Sequence, residues 1–108
     1  MTTENGYNGY KNYETWAVVL WLENEEGAAC YWREVALELK EGAPGWQEVE
    51  EGLWSVEEAA RFRLAERLKD EVTDEAPDLG PSLYSDLMHA AFSEVDWHEV
   101  AEAFLEEW

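Results

Sequence analysis

The residues able to do covalent or metal chemistry are few. Cys30 is the only cysteine, and His89 and His98 are the only histidines. A thiol nucleophile needs a base within reach, a group to orient that base, and donors for the developing negative charge. The sequence offers a cysteine–histidine pair at most, with no third group and no oxyanion hole. A lone cysteine also excludes an internal disulfide and any cysteine-rich metal site. There is no His-Glu-x-x-His, no EF-hand loop and no Cys–His ligand spacing. Asp74, Glu75 and Asp78 crowd around Pro77 and could hold a hard cation loosely, but a solvated loop is the simpler reading. Gly42, Gly45 and Gly52 have the wrong spacing for a phosphate loop, and no lysine follows them. The expectation is a protein that is not an enzyme, with no cofactor and no metal.

The abundant functional group is the carboxylate. The chain carries 26 Asp and Glu against seven Lys and Arg, a net charge of −19. Nucleic-acid binders and proteins of anionic membranes need basic surface, so neither is a direct partner. Carboxylate pairs say nothing about acid–base catalysis when a quarter of the residues are acidic, because that chemistry needs two acids in different environments. The distribution is more informative. Residues 70 to 108 hold 12 acids and no Lys or Arg. Glu94, Asp96, Glu99, Glu102, Glu106 and Glu107 lie opposite the apolar series Trp97, Val100, Ala101, Phe104, Leu105 and Trp108. Acids three or four apart on a helix stand about 5–6 Å from one another, a separation comparable to that of phosphates along a strand.

That face, supported by Asp74, Glu75 and Asp78, is the expected partner-binding surface. Its expected partner is a basic protein, such as a nucleic-acid-binding enzyme or complex blocked by charge mimicry. Solvated surface competes with this reading. Salt adaptation fits less well, since it favours Asp and this chain has 21 Glu and five Asp. The alternative is an adaptor or assembly module that binds through exposed aromatics: Trp46, Trp54, or the arm bearing Tyr7, Tyr10 and Tyr13.

These groups must be positioned by helices. The length of 108 residues suits one domain. An apolar content of 46% with seven tryptophans argues against disorder. Residues 1–12 are rich in Asn and Gly and read as an irregular arm. Asn12 caps a first helix whose body, Trp16 to Leu22, is apolar all round and is expected to be central and buried. Asn24 is placed as the cap of a second helix carrying Ala29, Trp32, Val35, Ala36 and Leu39, ended by Gly42 and Pro44. Residues 42–54 form a loop from which at least one tryptophan folds back over the core. Ser55-Val56-Glu57-Glu58 is a capping box for a third helix, with Ala59, Phe62, Leu64, Ala65, Leu68 and Val72 on its apolar side and Glu57 four residues before Arg61. Residues 73–81 break it. Ser82 caps a fourth helix bearing Leu83, Leu87, Ala90 and Ala91, and a fifth starts around Ser93. The fold class is all-α, a compact bundle of about five helices over 1–108, with the first and fifth supplying most of the buried surface. One free thiol suits a reducing cytoplasm. No apolar leader segment is expected from the polar, Gly-rich N-terminal stretch, and the run from Trp16 to Leu22 is far short of a membrane span.

The stretch from Asn8-Gly9-Tyr10-Lys11-Asn12-Tyr13-Glu14-Thr15-Trp16 through Leu20-Trp21-Leu22-Glu23-Asn24-Glu25-Glu26-Gly27 resembles a family of small uncharacterised proteins encoded by phages, plasmids and prokaryotic chromosomes. Their pattern is Asn-x-Tyr/Glu-Thr-Trp, an apolar helix, then Asn-Asp/Glu-Glu. Val95-Asp96-Trp97-His98-Glu99-Val100-Ala101-Glu102 is similar to that family's closing helix, with Asp96 where Asn is usual. The two ends cover about a quarter of the chain. The resemblance carries no activity. Its mobile-element setting implies an inhibitor of host nucleic-acid enzymes, of the restriction or CRISPR kind. Within the motif, Asn12 is expected to cap, Thr15 to pack or bond back, and Trp16 to fill the core.

Overall fold

The computed structural model describes residues 7–105. Within them the chain is all-α and forms six helices: α1 (Tyr13–Asn24), α2 (Glu26–Gly42), the single turn α3 (Gln47–Glu50), α4 (Val56–Asp74), α5 (Leu83–Glu94) and α6 (Trp97–Leu105). A 3-10 turn at Ala43–Gly45 precedes α3. The region read as a loop from 42 to 54 therefore contains a 3-10 turn and a short helix. The one β-type pairing among the described residues is an isolated bridge between Tyr7 and Tyr10.

Side chains that supply missing hydrogen-bond partners set the helix starts. Asn12 Oδ1 accepts from the Thr15 N–H at 2.9 Å. At α4, Ser55 Oγ accepts from Glu58 N–H at 3.1 Å while Glu58 Oε1 accepts from Ser55 N–H at 3.0 Å, the reciprocal box that the sequence predicts. Ser82 caps α5. The cap of α2 differs from expectation. Asn24 is the last residue of α1, and Glu25 caps α2 through a 2.7 Å bond from Ala28 N–H. Glu25 N–H also closes α1 on Trp21 O, so the two helices share one extended residue and turn sharply there. Asp96, rather than Ser93, caps the last helix: its Oδ1 accepts from His98 N–H and Glu99 N–H at 3.1 and 3.3 Å.

The core lies where α4 and α6 pack against each other with α2 across them. Leu64, Leu68 and Val100 are fully buried. Side chains of this kind each contribute about 1.5–3 kcal/mol. Trp32, Val35, Trp97, Ala101 and Leu105 close around them. The first helix is less central than its sequence predicts. Of its residues only Thr15 and Val19 are buried, and Trp21 is 72% exposed. An all-round apolar helix is here a partly covered one. Trp46 does fold back, half-buried against the core, with the Arg63 guanidinium 3.8 Å from its ring centre. Trp54 stacks edge-on to Phe62 at 4.8 Å, and both remain exposed.

α5 is the outlier. It packs on α1 and buries none of its residues fully. The radius of gyration is 15.2 Å, against about 13 Å for a compact domain of this length.

Candidate functional site

The acidic residues expected to form one surface are used in several different ways. On α6, the Arg61 guanidinium of α4 pairs with Glu102 at 3.3 Å. The pair expected between Glu57 and Arg61 does not form, because Arg61 faces α6 instead. Glu99 Oε1 accepts from the Lys11 backbone N–H at 2.7 Å. Asp96 is occupied as the helix cap and shares a shallow hollow with Lys11, Glu66, Lys69 and His98. Glu106 and Glu107 lie outside the described residues. Within the described residues, Asp96, Glu99 and Glu102 are thus each engaged by a backbone or side-chain partner.

The remaining members are different. Asp74 and Glu75 at the end of α4, Asp78 in the following turn and Glu94 at the end of α5 are all exposed, as is Asp86 on α5. Among the described residues none of these five takes part in an ion pair. Arg61, Arg63 and Arg67, all on α4, pair with Glu102, Glu48 and Glu71. Asp78 Oδ1 accepts the Gly80 N–H at 3.0 Å, which fixes a turn that needs Gly80 at φ +64°.

Besides Trp21, Tyr13 and Leu37, two groups of apolar residues are exposed. Leu53, Trp54 and Phe62 line a groove of about 330 Å³ with Glu58, Arg61 and His98. The second group, missed by the sequence reading, is the outer side of α5. Leu83, Tyr84 and Leu87 are 65, 69 and 59% exposed, and Leu79 before the helix is 43% exposed. Ser85, Met88 and Phe92 take the inner side. The sequence reading placed Leu83, Leu87, Ala90 and Ala91 on this helix without assigning the side that they face. The helix has apolar residues on both sides, and the domain covers only one. The legible signal was Met88 and Phe92 at the opposite helical phase from Leu83 and Leu87.

The groups with reactive potential stay apart. Cys30 is exposed on α2 and makes no hydrogen bond to either histidine among the described residues. His98 lies 6.1 Å from the Phe62 ring, and His89 is exposed on α5. Among the described residues no group of three or more His, Cys, Asp or Glu side chains could hold a metal ion. No described helix is long and apolar enough to cross a membrane.

The two segments that carry the family resemblance meet in space. Buried Thr15 donates its hydroxyl to Asn12 Oδ1 at 2.7 Å and accepts the Asp96 N–H at 2.9 Å. Asn12 Nδ2 donates to Glu94 O at 2.7 Å. The N-terminal motif therefore clasps the junction between α5 and α6. Trp16, expected in the core, is half-buried and stacks with Tyr7 and Tyr13 at 4.9 and 5.5 Å, so the arm is anchored by aromatic contact. Residues 3–107 match the model of DUF7249, described as a family of unknown function. The chain belongs to that family. No curated protein and no solved structure matches it.

Proposed function

We propose that this protein acts by binding a basic protein surface and not by catalysis. The observation that carries the reading is the segment from Asp74 to Glu94. It presents five exposed carboxylates with no ion pair among the described residues, on a chain of net charge −19. Such a field draws in cationic partners and repels nucleic acids and anionic membranes. The resemblance to proteins of phages and plasmids extends the proposal: the basic surface is the nucleic-acid groove of a host enzyme of the restriction or CRISPR type, and occupancy blocks it. The carboxylates that would engage it are Asp74, Glu75, Asp78, Asp86 and Glu94, in place of an array centred on α6.

Capture by the tagged protein at graded NaCl tests this. A basic protein should be retained at low salt and released as salt rises. The variant Asp74→Asn/Glu75→Gln/Asp78→Asn/Asp86→Asn should lose it while keeping its helical circular dichroism. Salt-indifferent capture, or equal capture by the neutralised variant, overturns the reading. The exposed groove of Leu53, Trp54 and Phe62 favours a second reading, an adaptor held by apolar contact, and salt-indifferent capture is its signature.

A further inference from the structure

The geometry points to the outer face of α5 as a docking surface for a cationic amphipathic helix of a partner protein. This rests on the proposed basic partner and adds the shape of the segment that it presents. Leu83 and Leu87 are four residues apart, and Tyr84, Ala90 and Ala91 lie within the same arc of the helix. All five are exposed, whereas Ser85, Met88 and Phe92 face the domain. A helix apolar on both sides is normally covered on both. Among the described residues nothing packs over the outer side: Leu83, Tyr84 and Leu87 remain more than half exposed. With Leu79 the patch amounts to roughly 400 Å², the size of a functional patch on a monomer.

Charge decides between occupants. Asp86 and Glu94 stand on the same helix and Asp78 directly precedes Leu79, all three exposed and without an ion pair among the described residues, and no Lys or Arg follows Lys69 in the chain. A second copy would set these carboxylates against their own counterparts, at −19 per chain. It would do so across a patch of about half the roughly 800 Å² per partner of a standard stable interface. A helix with leucines on one side and lysines or arginines on its flanks meets both features at once, with apolar contact in the centre and opposite charge at the rim.

Two labelled synthetic peptides test this by fluorescence anisotropy. One is a Leu/Lys helix with its leucines on one face. The other has the same composition, scrambled so that the leucines share no face. The amphipathic peptide should bind at least tenfold more tightly than the scrambled one. Leu83→Ser/Leu87→Ser should reduce it to the scrambled level and leave the scrambled peptide unchanged. Both side chains are exposed, so helicity should survive; Tyr84→Ser provides an independent variant with the same expected direction. Equal binding of both peptides overturns the docking face while leaving the charge-driven reading intact. Failure of both to bind removes the two together. Sedimentation showing a stable dimer that Leu83→Ser/Leu87→Ser dissociates assigns the face to a second copy and also overturns the inference.

Discussion

Replacing Thr15 by valine removes one oxygen and keeps the side-chain volume. In the structure that oxygen holds two bonds, donating to Asn12 Oδ1 at 2.7 Å and accepting the Asp96 N–H at 2.9 Å. The residue is completely buried, so water does not replace what is lost. A buried donor left unsatisfied costs about 1–3 kcal/mol, and the second bond adds about 1 kcal/mol, giving about 2–4 kcal/mol in all. Thr15→Ser keeps both bonds and loses one methyl group, a cost of about 1 kcal/mol. Urea unfolding followed by tryptophan fluorescence reads both. With a slope of about 1–3 kcal/mol per molar urea, Thr15→Val should lower the midpoint by roughly 1–2 M, and Thr15→Ser by much less. A double-mutant cycle with Asn12→Ala should give a coupling of about 1 kcal/mol, because the two residues share a bond. If Thr15→Val lies within about 0.5 kcal/mol of the parent, or Thr15→Ser is as harmful as Thr15→Val, the hydrogen bonds are not what holds the α5–α6 junction.

Three further outcomes are expected. Raising NaCl from about 0.1 M to about 1 M shortens the screening length from ~10 Å to ~3 Å and relieves self-repulsion, so the melting temperature should rise by several degrees; a constant or falling value refutes the repulsion argument. Arg63→Ala removes the stacking on Trp46 and the 2.9 Å pair with Glu48, and should cost about 0.5–1 kcal/mol, mostly from the stacking, with a red shift of Trp46 emission. Glu48 is held below the ordinary glutamate pKa by a hydrogen bond from its own backbone and then by Arg63, so its contribution is present above the unfolded value and lost as pH falls through the folded one. NMR titration should find that pKa only partly restored in Arg63→Ala. The Tyr31 hydroxyl donates to Glu71 at 2.7 Å, which raises its pKa, with desolvation adding to the effect. The folded state therefore keeps the proton, and this contribution is complete below the unfolded tyrosine value and lost as pH rises through the folded one. Glu71→Gln should move phenolate formation to lower pH in an absorbance titration; an unmoved titration would show that the bond does not persist in solution.

The sequence by itself determined the helical class, most helix starts and the strongly negative net charge. These are properties of short windows and of totals. Asn12, Ser55 and Ser82 cap because each oxygen lies within three residues of the N–H groups it satisfies, and net charge does not depend on the fold. The tertiary structure alone decided which apolar side of each helix is covered and which acids are already engaged. Periodicity marks an apolar side but not what lies against it, so the run from Trp16 to Leu22 read as central although Trp21 is exposed, and the apolar residues of α5 gave no sign that Leu83 and Leu87 stay uncovered. Lys11 and Arg61 lie 88 and 41 residues from the α6 carboxylates that they engage. No local pattern encodes a contact at that separation, because it exists only once α4 has packed on α6 and the N-terminal arm has closed over the junction.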